Sequence, residues 1–164
     1  MSSFKLRASA RSIDESTMLI VENWAQSRSK DPSTKVGACV YDPTTGGVFL
    51  GYNGFPPNVP EREEWWTNRE EVAGKLCKYD LVVHAEVNAV RKALVAGVKL
   101  ATAVLYCTHL PCPRCMRDVI CANGIKSVHY KIDEYASLTP RARWVVHQLA
   151  EMGGVTLSKM ESKS

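Results

Sequence analysis

Two short polar motifs interrupt the apolar second half of the chain, each where a predicted strand gives way to a predicted helix. VVHAEVNAV, at 82–90, places His84 and Glu86 two residues apart at the start of a helical pattern, and PCPRC places Cys112 and Cys115 at the start of the next helix. The free N–H groups of a first helical turn favour thiolates, and Pro111 fits there because its missing N–H is not needed. The fold must bring these two helix starts together if the motifs are to bind one metal ion.

The residue types indicate zinc in a site that keeps one coordination position open. Two thiolates and one imidazole, from Cys112, Cys115 and His84, supply three of the four ligands of a tetrahedral zinc ion. Two thiolates formally cancel the charge of the ion, so bound water is acidified less and a nearby base becomes more useful. Glu86 is that base, and H-x-E followed by P-C-x-x-C is the known signature of zinc deaminases.

Each motif alone has a plainer interpretation. A single helical histidine is usually a surface or core residue, and a single C-x-x-C is a redox pair or half of a zinc finger. A purely structural zinc site would add a fourth ligand, for which the sequence offers Cys77, Cys107 and His109. None of these three forms a second ligand pair, so the joint pattern favours a catalytic site.

Composition fits one globular domain over 1–164, with 1–11 as a flexible arm. No apolar run would span a bilayer and the basic N-terminus lacks the apolar stretch of a secretory signal, so we expect a cytoplasmic protein with reduced cysteines. The net charge of +4 suits an anionic substrate but is too small to indicate nucleic acid binding. We expect Cys39, Cys107 and Cys121 to be structural, whereas Cys77 is either a buried thiol or a ligand of an accessory metal.

Periodicity predicts helices alternating with strands, led by a hairpin. Ser12-Ile13-Asp14-Glu15 has the form of a capping box that opens a helix running to about Ser29. KVGACVYDP and VFLGYN are predicted as an antiparallel pair of strands, and TAVLYCTHL, SVHYKI and VTLSK as further strands. Helices are predicted over about 84–96, over PCPRCMRDVICANG, and from Thr139 and Pro140 onwards; EREEWWTNREEVAGK is a weaker helix candidate in an irregular segment. The fold class is layered α/β.

The sequence resembles the cytidine and deoxycytidylate deaminase superfamily, and deoxycytidylate (dCMP) deaminases most closely. The likeness covers about 24–157 and includes SKDPSTKVGACV, GYNGFP, KYDLVVHAEVNA, PCPRC and ANGIKSV. It implies a cytidine-deaminase-like three-layer fold, in which helices flank a mixed five-stranded sheet. It also implies hydrolysis of dCMP to dUMP and ammonia: a zinc-activated water attacks C4 of cytosine while Glu86 carries protons to N3 and to the leaving amine.

The resemblance implies further contacts with the nucleotide. Asn53 would contact sugar and base, unless it only forms a turn with Gly54, and Ala85 would line the base site. The candidates for the phosphate are Lys30, Lys35, Arg28 and Tyr135, each of which has a bystander role as the alternative.

Many members of this group are homo-oligomers, often hexamers, regulated by dCTP and dTTP, which would bring Mg2+ with the triphosphate. Asn58 stands where a glycine is common in the GYNG-x-P region, and asparagine tolerates the left-handed conformation. Trp65 and Trp66 either form a subunit contact or are buried in their own domain.

Two other functions stay open on the sequence alone. One is a deaminase of cytidine, of a C5-modified dCMP, or of adenosine in RNA. The other is an inactive, zinc-stabilised nucleotide-binding protein, against which the presence of Glu86 argues.

Overall fold

A mixed five-stranded sheet forms the centre of the computed structural model, which describes residues 10–161. Its strands are β1 (Gly37–Asp42), β2 (Gly47–Tyr52), β3 (Val104–His109), β4 (Ser127–Ile132) and β5 (Thr156–Lys159). The spatial order is β2-β1-β3-β4-β5. β1 pairs antiparallel with β2 and β3, whereas β3, β4 and β5 run parallel. The sheet expected from the resemblance is confirmed.

Six helices accompany the sheet in the described chain: α1 (Ile13–Arg28), α2 (Glu63–Thr67), α3 (Lys78–Leu81), α4 (Ala85–Val95), α5 (Pro113–Cys115) and α6 (Pro140–Gly153). α5 continues directly into a π-helix (Met116–Cys121), and a 3-10 turn (Leu100–Thr102) precedes β3. The capping box of Ser12 and Glu15 is confirmed, as is the Thr139 cap with Pro140 in the first turn. Local sequence chemistry therefore sets these helix starts.

Alternation along β1 divides the core between the two faces of the sheet. Cys39 packs with Met18 and Val21 of α1, whereas Ala38 and Val40 face the larger core with α4 and α6. Successive side chains of a strand point to opposite faces, so β1 is buried on both sides. The result is three layers: among the described helices, α1 packs on one face of the sheet, and α4 and α6 pack on the other.

The segment between β2 and α4 differs most from expectation. Of the candidate helix EREEWWTNREEVAGK only α2 is helical, and α3 was not predicted. Trp66 is buried in its own chain, stacked on Phe55 with ring centroids 4.1 Å apart. Asn58 is not left-handed, since every residue with positive φ in 10–161 is a glycine. Residues 1–9 of the expected arm lie outside the described residues, and the single-domain organisation of 1–164 stays a prediction.

Gly51 of β2 lies directly against the first turns of α4. A Cβ atom at this position would be 2.2 Å from the carbonyl oxygen of Ala85 and 2.5 Å from the backbone nitrogen of Ala89. Both are backbone atoms, so neither can move aside without shifting the helix. Glycine is therefore required here for the close approach of strand and helix.

We predict that Gly51→Ala lowers the free energy of unfolding by about 1–3 kcal/mol or more, the usual cost of overpacking a core. Gly54→Ala is a matched control, because its Cβ would meet the edge of the Tyr52 ring at 3.1 Å rather than backbone. Urea unfolding of both variants, at equal zinc loading, measures the difference. Equal stability of Gly51→Ala and the wild type would contradict this account.

Candidate active site

The predicted metal ligands converge where α4 and α5 begin. His84 is the N-cap residue of α4, and Cys112 is the N-cap residue of α5, which ends at Cys115. Nδ1 of His84 lies 3.5 Å from Sγ of Cys112 and 3.3 Å from Sγ of Cys115. The two motifs thus meet in space although 28 positions separate His84 from Cys112.

The donor set fits a zinc ion. Tetrahedral zinc, with Zn–S of about 2.3 Å and Zn–N of about 2.0–2.1 Å, separates a nitrogen and a sulfur ligand by about 3.5–3.6 Å. All three ligand atoms lie within 4.8 Å of one another, and in 10–161 no fourth His, Cys, Asp or Glu joins the group. This leaves one coordination position for a water molecule or substrate. Cys77, the candidate for an accessory metal, belongs to no such group in the described chain.

The two cysteines differ in their affinity for protons. A hydrogen bond from the Cys115 thiol, together with a weaker one from His84, outweighs burial and lowers the pKa of Cys112. The same sulfur–sulfur hydrogen bond, together with burial, raises the pKa of Cys115. The backbone N–H of Cys115 also donates to Sγ of Cys112, at 3.4 Å. The lowered pKa of Cys112 favours its thiolate, which is the form that ligates zinc.

Glu86 lies beside this cluster in the first turn of α4. The residue is only 4% exposed, and it lines the same cavity as His84 and Cys112. Burial raises its pKa above the ordinary range for a carboxyl group. A carboxyl with a raised pKa next to a metal site is suited to take up and release protons.

A cavity of about 380 Å³ opens over the cluster, which is within the range of small-molecule sites. Three of the predicted nucleotide contacts, Asn53, Ala85 and Tyr135, are part of its wall. The hydroxyl of Tyr135 donates to the carbonyl of Leu110 at 2.8 Å, and its ring meets His109 edge-on. Tyr135 is thereby held as an aromatic wall, and burial raises its pKa so that it stays protonated.

The amide of Asn53 is engaged within the protein. Its oxygen accepts from Oγ of Ser29 at 2.7 Å and from the N–H of Val36 at 2.8 Å. Its nitrogen donates to Oδ2 of Asp31 at 3.0 Å and to the carbonyl of Thr34 at 2.9 Å. Asn53 therefore fastens the loop 29–36 to β2, and its contact with the nucleotide stays a prediction.

The predicted phosphate ligands Lys30, Lys35 and Arg28 are not part of the cavity wall. Lys30 pairs with Glu61 at 2.7 Å, and Nζ of Lys35 donates to the carbonyl of Gln26 at 3.2 Å. Both lysine side chains turn away, although Asp31, Ser33 and Thr34 of the same loop do line the cavity.

Arg28 packs against two aromatic rings and does not line the cavity. Its guanidinium lies 5.7 Å from the ring centroids of both Trp24 and Tyr52. A cation between two aromatic faces is stabilised where it is. Its predicted contact with phosphate has no support from this placement.

Two cations on the wall, Lys78 and Arg69, were missed by the sequence analysis. Lys78 forms an ion pair with the fully buried Asp31. Burial alone would raise the pKa of Asp31, but hydrogen bonds from Lys78 and Ser33 hold it below its ordinary value. The D-P-S-T spacing could have indicated that Asp31 caps its own turn. No local signal in the irregular segment pointed to the two cations.

A histidine and two cysteines in C-x-x-C, clustered beside a cavity that a buried glutamate also lines, have the pattern of a zinc-dependent deaminase site. Residues 11–132 match the profile of the cytidine and deoxycytidylate deaminase zinc-binding region. The chain belongs to the cytidine and deoxycytidylate deaminase family.

Individual relatives agree with this assignment. The chain is 37% identical to the deoxycytidylate deaminase of Mus musculus over 83% of its own length and 73% of the mouse protein. It is 38% identical to a probable deoxycytidylate deaminase of Drosophila melanogaster, of which it spans 54%. The crystal structure of a dCMP deaminase from the cyanophage S-TIM5, in complex with dCMP and dUMP, superposes with a TM-score of 0.69 at 28% identity. That match covers 93% of this chain and 99% of the phage chain.

Within 10–161, no helix combines the length and the apolar character that crossing a bilayer would demand.

We predict that Cys112→Ser reduces bound zinc to well below one ion per chain, because a serine hydroxyl is a much poorer zinc ligand than a thiolate. Cys121→Ser is the control, since Cys121 lies in the π-helix and outside the ligand cluster. Elemental analysis of the purified proteins gives the stoichiometry. Full zinc in Cys112→Ser would exclude Cys112 as a ligand.

Proposed function

We propose that the protein hydrolyses dCMP to dUMP and ammonia. The observation that carries the proposal is the buried carboxyl group of Glu86 beside a three-ligand zinc site. A purely structural zinc site does not require such a carboxyl group next to its ligands. The substrate is supported by the relatives, which are a deoxycytidylate deaminase in mouse, a probable deoxycytidylate deaminase in fly and a dCMP deaminase in the cyanophage.

The protein's own groups account for the proton transfers. A zinc ion held by His84, Cys112 and Cys115 would supply Lewis acidity, which would lower the pKa of a water molecule there. Glu86 accepts a proton from the attacking water and delivers it to N3 of cytosine. It then accepts the remaining proton of the hydroxyl formed at C4 and delivers that proton to the amine that leaves. One C–O bond forms, one C–N bond breaks, and the carboxylate is regenerated.

The cavity wall provides the groups that orient the base. The buried start of α4 at Ala85 presents backbone atoms next to Glu86, and the ring of Tyr135 offers an apolar face. A rigid aromatic wall restricts the base to one plane, which keeps C4 in line with the reacting water. Asn53 contributes indirectly, because its hydrogen bonds to Val36 and Thr34 hold the loop 29–36 beside the cavity.

Regulation and assembly are further parts of the proposal. A homo-oligomer, a hexamer in particular, with dCTP and dTTP as effectors and Mg2+ bound with them, follows from the likeness to regulated members of the family. Light scattering with and without each triphosphate and Mg2+ tests assembly and effector response together. The cytoplasmic location expected from the sequence stays a prediction.

A substrate panel tests the reaction itself. We expect ammonia release to be fastest with dCMP, and deoxycytidine to react at least about 10-fold less efficiently because it lacks the charged phosphate. Cytidine, 5-methyl-dCMP, dCTP and an adenosine-containing RNA complete the panel. If another compound reacts faster, that compound replaces dCMP as the proposed substrate. Full zinc content with no ammonia released from any compound of the panel would favour a nucleotide-binding protein without activity.

Glu86→Gln should lower kcat for dCMP by about 10²- to 10⁴-fold, the usual contribution of a positioned acid–base group. Zinc content should be unchanged, because Glu86 is outside the ligand cluster. Glu70→Gln, an exposed position in the α2–α3 segment, is the matched control. Near-normal turnover by Glu86→Gln would rule out this mechanism.

A further inference from the structure

One cation on the cavity wall is not neutralised by a neighbouring acid. Arg69 lines the cavity, and no carboxylate of residues 10–161 lies within 4.0 Å of its guanidinium. Lys78, the other cation there, is neutralised by its ion pair with Asp31. These three side chains together leave one net positive charge on this part of the wall.

The guanidinium of Arg69 is held in place without using up its donors. One Nη2 hydrogen bond, 2.8 Å long, goes to Oγ of Ser33, and the group lies 5.7 Å from the ring centroid of Tyr79. Ser33 and Tyr79 also line the cavity. A guanidinium has five N–H donors in a planar fork, so most of them are available to an anion.

Ser33 is itself fixed by the buried ion pair. Its backbone N–H and its hydroxyl both donate to Oδ1 of Asp31, at 3.0 and 2.9 Å. The other oxygen of Asp31 accepts from Lys78 and from Asn53. The chain of contacts from Lys78 through Asp31 and Ser33 to Arg69 therefore determines where the guanidinium lies.

We propose that Arg69, positioned by Ser33 and Tyr79, binds the 5′-phosphate of the substrate and makes the enzyme selective for the nucleotide over the nucleoside. The proposal rests on the proposed function, since it names the phosphate-recognising residue of the same cavity. A phosphate dianion matches the bidentate geometry of the guanidinium, and such charge-assisted hydrogen bonds are strong. Arg69 takes the role that the sequence had suggested for Lys30 and Lys35.

The test compares dCMP with deoxycytidine in Arg69→Gln, Arg69→Lys and a control. Arg62→Gln is the control, because Arg62 belongs to the same segment and also lies over an aromatic ring, that of Trp65, but is not part of the cavity wall. We expect Arg69→Gln to lower kcat/KM for dCMP by about 10- to 100-fold, and to leave the value for deoxycytidine within about twofold. Arg69→Lys should be intermediate, since it keeps the charge and loses the fork.

Binding of the product separates this proposal from the proposed reaction. Calorimetry on the zinc-loaded proteins should show weaker binding of dUMP to Arg69→Gln and unchanged binding of deoxyuridine. An equal loss for nucleotide and nucleoside, or no loss for either, would overturn the role of Arg69. A wild type that binds dUMP through Arg69 but releases no ammonia from dCMP would instead overturn the deaminase function alone.

Discussion

The side-by-side start of two helices is the constraint on which the rest of the site depends. His84 and Cys112 are both N-cap residues, and their ligand atoms are 3.5 Å apart. A helix start offers free N–H groups and partial positive charge, so thiolates and a carboxyl can gather there at lower cost. The same junction puts Glu86 in the first turn of α4, beside the ligands and on the cavity wall.

The parts of the structure that the sequence predicted are those with local or chemically specific signals. These signals involve residues that are close together in the sequence: the pair Ser12 and Glu15, the pair Thr139 and Pro140, and each of the two ligand motifs. The ligand set could be proposed from residue types because few combinations of histidine and cysteine form a zinc site.

The charged wall could not be predicted in this way. Arg69 reaches Ser33 across 36 positions, and no periodicity in the intervening loops indicates that the two segments meet. α2 and α3 are too short to show a helical pattern, so their placement depends on tertiary contacts such as the stacking of Trp66 on Phe55. Lys30 and Lys35 lie in the expected loop, but the loop presents Asp31, Ser33 and Thr34 to the cavity instead.

Charge on the wall is arranged in two separate groups. One group is the cluster of His84, Cys112, Cys115 and Glu86. The other is the set of Asp31, Lys78 and Arg69, in which Asp31 neutralises Lys78 but not Arg69. A buried pair such as Asp31 and Lys78 contributes more to geometry than to net stability, since desolvation offsets most of its attraction. If the second set binds the phosphate as proposed, substitutions in it alter recognition of the nucleotide and leave the reacting cluster unchanged.

The contact of Gly51 with α4 has a consequence for motion. Backbone meets backbone there, with no side chain between them that could change rotamer. A change in the spacing between β2 and the start of α4 therefore needs movement of the backbone itself, and Glu86 belongs to this tightly packed part of the cavity wall. The part of the wall at 135–137 lies in the loop between β4 and α6, so we expect any widening of the cavity for a nucleotide to occur there.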